Sequence, residues 1–269
     1  MKKFIALALA LVMSLSLVAC GAPAAGSASA SQPEAQATDL EAIKAKGEMI
    51  IGYTVYEPMN YTDENGVFTG FDTELAQAVC AKLGVTPKFQ EIVWETKEVE
   101  LNAGTIDCVW NGMTITEERQ ANMEITDPYV INAQVVVMKA DVIGNYADTA
   151  SMNGLTIAVE NGSAGQSAAE AIAGATVIPL QDQGAALLEV KAGTADACVI
   201  DITMAYAMTG EGTDYTDLAP GISLTEEFYG VSFRKDSDMT AKLNDFIAKL
   251  RTDGTLQALA DKYNLTLAE

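Results

Sequence analysis

This sequence predicts a two-lobed α/β protein, on three observations. From residue 49 onward, short β-branched runs alternate with segments of helical period, which is the signature of α/β architecture. The alternation comes as two series separated by the polar stretch Asp141 to Asn153. At 269 residues, 49% hydrophobic and 20% charged, the chain can bury a sizeable core, and its length less its ends suits two modest domains.

In the first series, Met49–Thr54 reads as a strand. Asp72 is placed to cap a helix whose apolar residues Leu75, Val79 and Leu83 recur every four, and Gly84 ends it. Lys88–Ile92 is a second strand, Lys97–Asn102 a helix, and Asp107–Trp110 a third strand running into Asn111-Gly112-Met113-Thr114. A short helix is expected around Glu117–Asn122, and the run Ala133–Met138 closes this half with a strand. The second series gives strands at Thr156–Val159, Val177–Leu180 and Ala197–Ile200, with helices at Ala164–Ala173, Gly184–Ala192 and Thr203–Met208. After Tyr229–Phe233 the chain ends in helices at about 238 to 252 and 255 to 263, too short a segment for a third domain.

Composition narrows the function. Thirty-seven Asp and Glu against 16 Lys and Arg give a formal charge of -21, which repels nucleic acid and anionic lipid headgroups alike. With no histidine, a Ser-His-Asp triad, a Cys-His dyad and His-ligated zinc are all excluded. Neither a cofactor nor a metal is called for. Cys80, Cys108 and Cys198 lie inside apolar segments rather than at metal-ligand spacings. Cys80 and Cys108 could pair if the fold joins them, but buried free thiols are the expectation.

At the amino terminus, Lys2 and Lys3 lead into the apolar run Phe4–Ala19, which is short for a spanning helix and reads as a signal peptide over residues 1–20. The run ends Leu17-Val18-Ala19-Cys20-Gly21, which resembles the lipobox of bacterial lipoproteins, where the cysteine is lipidated and begins the mature chain. The alternative is simple cleavage near Ala19. Removing the segment takes away two lysines and no acids, so the charge falls from -21 to -23. Residues 21–38, mostly Ala, Ser, Gly, Pro and Gln, hold no apolar period and read as a flexible linker, reaching roughly 20 to 25 Å from the membrane.

Several motifs in order carry a more specific likeness. Gly70-Phe71-Asp72 precedes a helix, and Gly104-Thr105-Ile106-Asp107 precedes a strand. Gly112-Met113-Thr114-Ile115-Thr116-Glu117-Glu118-Arg119 follows, and then Asp127-Pro128-Tyr129. Over about residues 41 to 267 the chain resembles the polar amino-acid-binding proteins of ABC importers, the family 3 extracellular solute-binding proteins. The resemblance implies a two-lobed periplasmic-binding-protein-like α/β fold with two hinge strands. Lobe 1 would be residues 41–137 plus 230–269, lobe 2 residues 141–225, and the hinges would lie near Met138–Ala140 and Thr225–Tyr229. It further implies a monomer at the extracytoplasmic face of the cytoplasmic membrane, lipid-anchored, with an amino acid as ligand and an ABC permease as partner. A dehydratase of the cyclohexadienyl type, using Glu160 or Asp201 as proton donor, and a structural lipoprotein are the competing classes.

A free amino acid presents a carboxylate and an ammonium, and each needs a partner once water is excluded. By the resemblance, Arg119 takes the carboxylate with its planar guanidinium. Asn111, Gly112 and Thr114 belong to the same binding stretch, with backbone donors at Gly112 and a hydroxyl at Thr114. Asp201 receives the α-ammonium, unless it is only a helix cap. Gly162 and Ser163, in the turn Asn161-Gly162-Ser163, offer amides at a helix start, or are a plain strand-to-helix turn. Tyr56 and Trp94 sandwich the ligand's carbon skeleton, or belong to the core. Tyr53 stands where relatives for cationic amino acids carry an acid, and Glu160 replaces a residue that touches the ligand side chain. An inward Glu160 would want a donor. Arg119 and Asp201 cancel the ligand's own charges, so Glu160 is the surplus charge and neutral polar amino acids are expected.

If Cys20 carries the anchor, Cys20→Ala moves the mature protein from the membrane to the soluble fraction. A variant that still requires detergent after fractionation would show that something other than Cys20 holds it.

Overall fold

The structure, a computed structural model, describes residues 37–269. The segment expected to be a signal peptide, Cys20 and most of the expected linker lie outside the described residues. Among the described residues no helix is long and apolar enough to cross a membrane.

The chain begins with α1 (Asp39–Lys46), closed at its start by a capping box in which Thr38 and Glu41 satisfy each other's backbone N–H groups. It continues through β1 (Glu48–Tyr53), the hairpin β2 (Tyr61–Thr62) and β3 (Phe68–Thr69), α2 (Phe71–Leu83), β4 (Thr86–Glu91), α3 (Lys97–Ala103), β5 (Cys108–Thr114), α4 (Glu117–Asn122), β6 (Met123–Ile125) and β7 (Val130–Asn132). Next come β8 (Gln134–Lys139), β9 (Thr156–Glu160), α5 (Ala164–Glu170), β10 (Thr176–Leu180), α6 (Gln183–Ala192), β11 (Ala197–Asp201), α7 (Ile202–Met208) and β12 (Leu218–Ser223). The chain then returns through β13 (Glu227–Arg234) to α8 (Met239–Thr252) and α9 (Thr255–Lys262).

Two sheets result. The first has the order β4-β1-β5-β13-β6, with β7 also paired to β13, and the second has the order β10-β9-β11-β8-β12. In the first, β1 runs parallel to β4 and β5, and β13 returns antiparallel. In the second, β9 runs parallel to β10 and β11, while β8 is antiparallel to β11 and β12. β5 and β11 are buried along their whole length, as strands covered on both faces must be. The C-terminal segment packs on the first sheet, with the Ile131 and Ala268 amides donating to the carbonyls of Thr266 and Tyr129.

The strand expected to close the first half belongs to the second sheet. Val135–Met138 is apolar on both faces, and only a place between β11 and β12 covers both. The chain therefore crosses between sheets at Ala133 and again at residues 224–226, rather than near Met138–Ala140. Asp72 is not the cap of α2 either. Gly70 holds the N-cap position, and Asp72 sits inside the first turn, fully buried. Elements the sequence reading lacked are short or atypical: α1 buries only Ile43, and β12 carries Pro220 and Gly221, which an edge strand tolerates. Cys80, Cys108 and Cys198 are buried thiols with no bond between them.

Gly70 shows how the start of α2 is fitted. Its φ is +127°, and a Cβ there would lie 2.2 Å from the Met59 carbonyl oxygen. The amides of Phe71 and Asp72 donate to the carbonyls of Pro58 and Met59, so backbone packs against backbone with no room for a side chain. Gly70→Ala is expected to destabilise the protein by about 2 kcal/mol or more, lowering its melting temperature by about 5 °C. An unchanged thermal midpoint in calorimetry would refute this account of the contact.

Candidate functional site

The carboxyl ends of β1, β5, β9 and β11 converge between the two sheets, the place where open α/β sheets present their binding groups. A small, nearly closed cavity lies there, lined by Tyr56, Trp94, Asn111, Gly112, Thr114 and Arg119 from the first sheet's side and by Gln134, Glu160, Ser163, Ala164, Gln183 and Asp201 from the second's. The sides are joined over it. Lys97 Nζ and Arg119 donate across to the Gly162 carbonyl at 3.1 and 3.4 Å, and Asn161 Nδ2 donates to Glu95 at 2.6 Å. The Tyr56 and Thr203 hydroxyls meet at 2.5 Å.

Arg119 projects from α4, whose first turn is capped by the Thr116 hydroxyl accepting from the Arg119 amide. Its guanidinium donates to the Thr114 carbonyl at 2.8 Å and lies 5.9 Å from the Trp94 ring centroid. The two carbonyls take two of its five N–H donors, which leaves donors for an anion. Burial disfavours its charge, and the carboxylates of Glu227 and Asp201 offset that.

Asp201 ends β11 and stands at the N-cap position of α7, yet its side chain makes no capping bond. The carboxylate turns to the cavity instead. One oxygen accepts from Asn132 Nδ2 and, at 2.8 Å, from Gln134 Nε2. The other accepts from Gln183 Nε2 at 2.5 Å, while Gln183 Oε1 receives the Asp201 amide at 2.9 Å. Every side-chain donor in this set is a neutral amide. Burial, followed by the neighbouring Glu227 charge, raises the Asp201 carboxyl to about 6.

Glu160 points inward and is 3% exposed, and its Oε1 has no hydrogen-bond partner. Burial first, then the charges of Asp201 and Asp182, push its carboxyl up to about 8, against the opposing pull of Lys97 and the Thr54 hydroxyl.

Other residues singled out from the sequence hold different partners. Gly112 gives its amide to Asp72 at 2.6 Å, so that donor is unavailable to a ligand. Asp72 also accepts from the Tyr129 hydroxyl, and its burial raises its carboxyl to about 7. Gly112 contributes shape instead: its φ is +54°, and a Cβ would lie 2.7 Å from the Tyr56 ring. The Thr114 hydroxyl donates to Glu227 at 2.9 Å. The Asn111 side chain is spent on Thr54 and Asn60, joining β1 to β5. In the 161–163 turn, the Gly162 amide donates to Gln166 Oε1, and the Ser163 hydroxyl caps α5 through the Gln166 amide. Tyr53 is outside the cavity, packed with Phe68 and Phe89, with ring centroids 4.8 and 6.3 Å away. The next residue, Thr54, is the one buried beside Glu160, because successive strand residues face opposite ways.

Thr54, Lys97, Asn132, Gln134, Gln183 and Glu227 were not identified from sequence. Gln134 and Glu227 open strands at the two crossings, and the mistaken first crossing hid Gln134. Lys97 reads as the first residue of a helix and Gln183 stands just before one, with nothing local to mark either as buried.

A guanidinium and a carboxylate approaching one enclosed cavity from two sheets, at the carboxyl ends of parallel strands, define the class of two-lobed solute-binding proteins. The chain belongs to the bacterial extracellular solute-binding proteins, family 3, and matches that family over residues 49–266. This places it among the substrate-binding proteins of amino-acid ABC transporters, which act outside the cytoplasm. The L-cystine-binding protein TcyJ of Escherichia coli (strain K12) is 27% identical over 227 residues, covering 83% of this chain and 85% of its own. Holo ArgBP from T. maritima superposes with a TM-score of 0.73 at 32% identity, covering 78% of this chain and 93% of its own. The ancestral amino acid-binding protein AncCDT-1, a precursor of cyclohexadienyl dehydratase, superposes with a TM-score of 0.77 at 29% identity, covering 83% and 98%.

Asp201, Asp72 and Glu160 give the ligand-free protein a defined pH dependence. Their carboxyls, raised to about 6, 7 and 8, keep protons in the folded chain that the unfolded chain loses near pH 4. Their stabilisation is therefore complete at low pH and is lost as pH rises through 6 to 8. The melting temperature is expected to fall between pH 5 and pH 8, and Glu160→Gln to flatten the upper part of the fall. A melting temperature that rises across this interval would show that the three ionise without cost.

Proposed function

We propose that this protein captures a neutral polar amino acid between its lobes and delivers it to an ABC permease, held at the membrane by a lipid on Cys20. The observation that carries this reading is the placement of Arg119 and Asp201 on the same enclosed cavity, from opposite sheets and with neither bonded to the other. Arg119 takes the α-carboxylate, beside the Trp94 ring, and Asp201 takes the α-ammonium. Glu160 faces the ligand side chain.

Charge decides the ligand class. Glu160, Asp201 and Glu227 oppose Arg119 and Lys97, so a zwitterion leaves one negative charge in surplus. A proton on Glu160, whose carboxyl is raised to about 8, removes it. The cleft is then balanced for a side chain without charge, and the protonated carboxyl can both donate and accept. An acidic side chain would meet Glu160 as a like charge in a dry cavity, and a cationic one would have to drive the proton off.

One observation favours a second reading. Glu160 is a buried carboxylic acid that holds its proton at neutral pH, as a dehydratase's proton donor would. Turnover of a cyclohexadienyl substrate would select it.

Calorimetric titration with the twenty amino acids and cystine tests the proposal. Neutral polar amino acids, of the glutamine or cystine kind, are expected to bind at least about tenfold more tightly than glutamate or arginine. Arg119→Ala and Asp201→Ala are each expected to lose about 2 to 5 kcal/mol of binding while circular dichroism stays unchanged. Glutamate or arginine ranking first would overturn the ligand class, and near wild-type affinity in either variant would overturn the site.

A further inference from the structure

Two carboxylates, not one, are built into the seam where the chain passes between its sheets. Glu227 opens β13 just after the second crossing, and Asn132 and Gln134 flank the first. Glu227 Oε1 accepts from Asn132 Nδ2 and Gln134 Nε2, both at 2.6 Å, and from the Thr114 hydroxyl. Asn132 and Gln134 are also the two amides that donate to Asp201 Oδ1. Each amide therefore makes one bond within its own sheet and one across to the other. The Gln134 backbone N–H donates to the Thr225 hydroxyl at 2.8 Å, and that hydroxyl donates to the second oxygen of Glu227 at 3.3 Å.

We propose that Glu227 is a positioning residue for ammonium recognition, acting on Asp201 through the shared side-chain amides of Asn132 and Gln134. This rests on the proposed reading in which Asp201 receives the ligand's ammonium. The amide bonds fix the Asp201 carboxylate in direction, and they also bring a second negative charge beside it with no cation bonded between them. The ionisable groups facing Asp201 from the surrounding elements are Glu227 and Tyr229 of β13, Tyr56 after β1, Glu160 of β9 and Arg119 of α4. Among these Arg119 is the one cation, and it is bonded to backbone carbonyls. An ammonium at Asp201 therefore meets the field of two carboxylates. Its arrival relieves their repulsion at the point where the lobes are joined, which couples recognition to closure. The unpartnered Oδ1 of Asn132, buried in the same seam, is a further acceptor there.

Glu227→Gln tests this, because its oxygen can stand where Oε1 accepts from Asn132, Gln134 and Thr114, and its nitrogen can donate to the Thr225 hydroxyl, while the charge is lost. In ligand-free protein labelled with carbon-13 at its Asp carboxyls, the Asp201 resonance is assigned by its disappearance in Asp201→Asn. Its titration midpoint is expected to fall by about half a pH unit or more in Glu227→Gln, because the neighbouring charge raises it in the wild type. For whichever of the twenty amino acids or cystine binds the wild type most tightly, Glu227→Gln is expected to weaken binding about threefold or more at pH 7.5. The loss of affinity on acidification is expected to begin at lower pH. Should that variant not fold, Glu227→Asp, which withdraws the charge by one methylene, is expected to move the midpoint in the same direction by less. Normal amino-acid binding with coincident midpoints and coincident pH profiles would overturn the inference alone. Failure of the wild type to bind any amino acid would overturn the proposed function and this inference with it.

Discussion

A buried carboxylate must have donors, and most of the cleft can be understood from the donors supplied to Asp201. Taking its charge out of water without a cation costs several kcal/mol unless every lone pair in reach is occupied. Here the occupants are the side-chain amides of Asn132, Gln134 and Gln183. Amides suit this position because they satisfy the carboxylate without neutralising it, so its attraction for a cation survives. They also fix geometry. Gln183 clamps Asp201 within its own lobe, while Asn132 and Gln134 bring in the two crossing segments. In the proposed reading, the residue that receives the ammonium is thus bonded directly to the segments at which the chain passes between its sheets.

The same economy explains Asp72, which lies outside the cavity. It is buried without a cation and accepts from the Gly112 amide and the Tyr129 hydroxyl. Gly112 in turn leaves space for the Tyr56 ring, whose hydroxyl meets those of Thr203 and Tyr229. A helix residue therefore holds a strand end, the strand end seats an aromatic ring, and the ring reaches the opposite lobe. Each step is a contact between buried groups, so Asp72 is linked to the cleft although it does not line the cavity.

Legibility from sequence followed the range of the interaction. The alternation of strands and helices depends on local period, and most of the long elements lie within a few residues of where that period puts them. Arg119, Asp201, Trp94, Tyr56 and Glu160 stand in motifs or at strand ends, and all five line the cavity. What escaped was set by long-range pairing. The run Val135–Met138 is equally suited to either sheet by composition, and only its neighbours β11 and β12 decide. Whether Tyr53 or Thr54 faces the cleft is a matter of strand phase, which a shift of one residue reverses. The amides of Gly112 and Gly162 were plausible ligand donors until their partners Asp72 and Gln166, 40 and four residues away, came into place.

The cleft carries a like-charge pair at each end, and this bears on what can close it. At one end Asp201 and Glu227 share two amides. At the other, Lys97 and Arg119 both donate to the Gly162 carbonyl, and the nearby guanidinium adds to burial in lowering the Lys97 ammonium to about 8. Both members of each pair make contacts that hold the lobes together, so repulsion within either pair works against closure. In the proposed reading, an α-ammonium relieves the first pair and an α-carboxylate the second. A molecule with one of these charges relieves one end and leaves the other opposed. Only a zwitterion of the right span relieves both at once, so the selectivity for amino acids lies in the charge pattern of the closed lobes as well as in the two contacts that name the site.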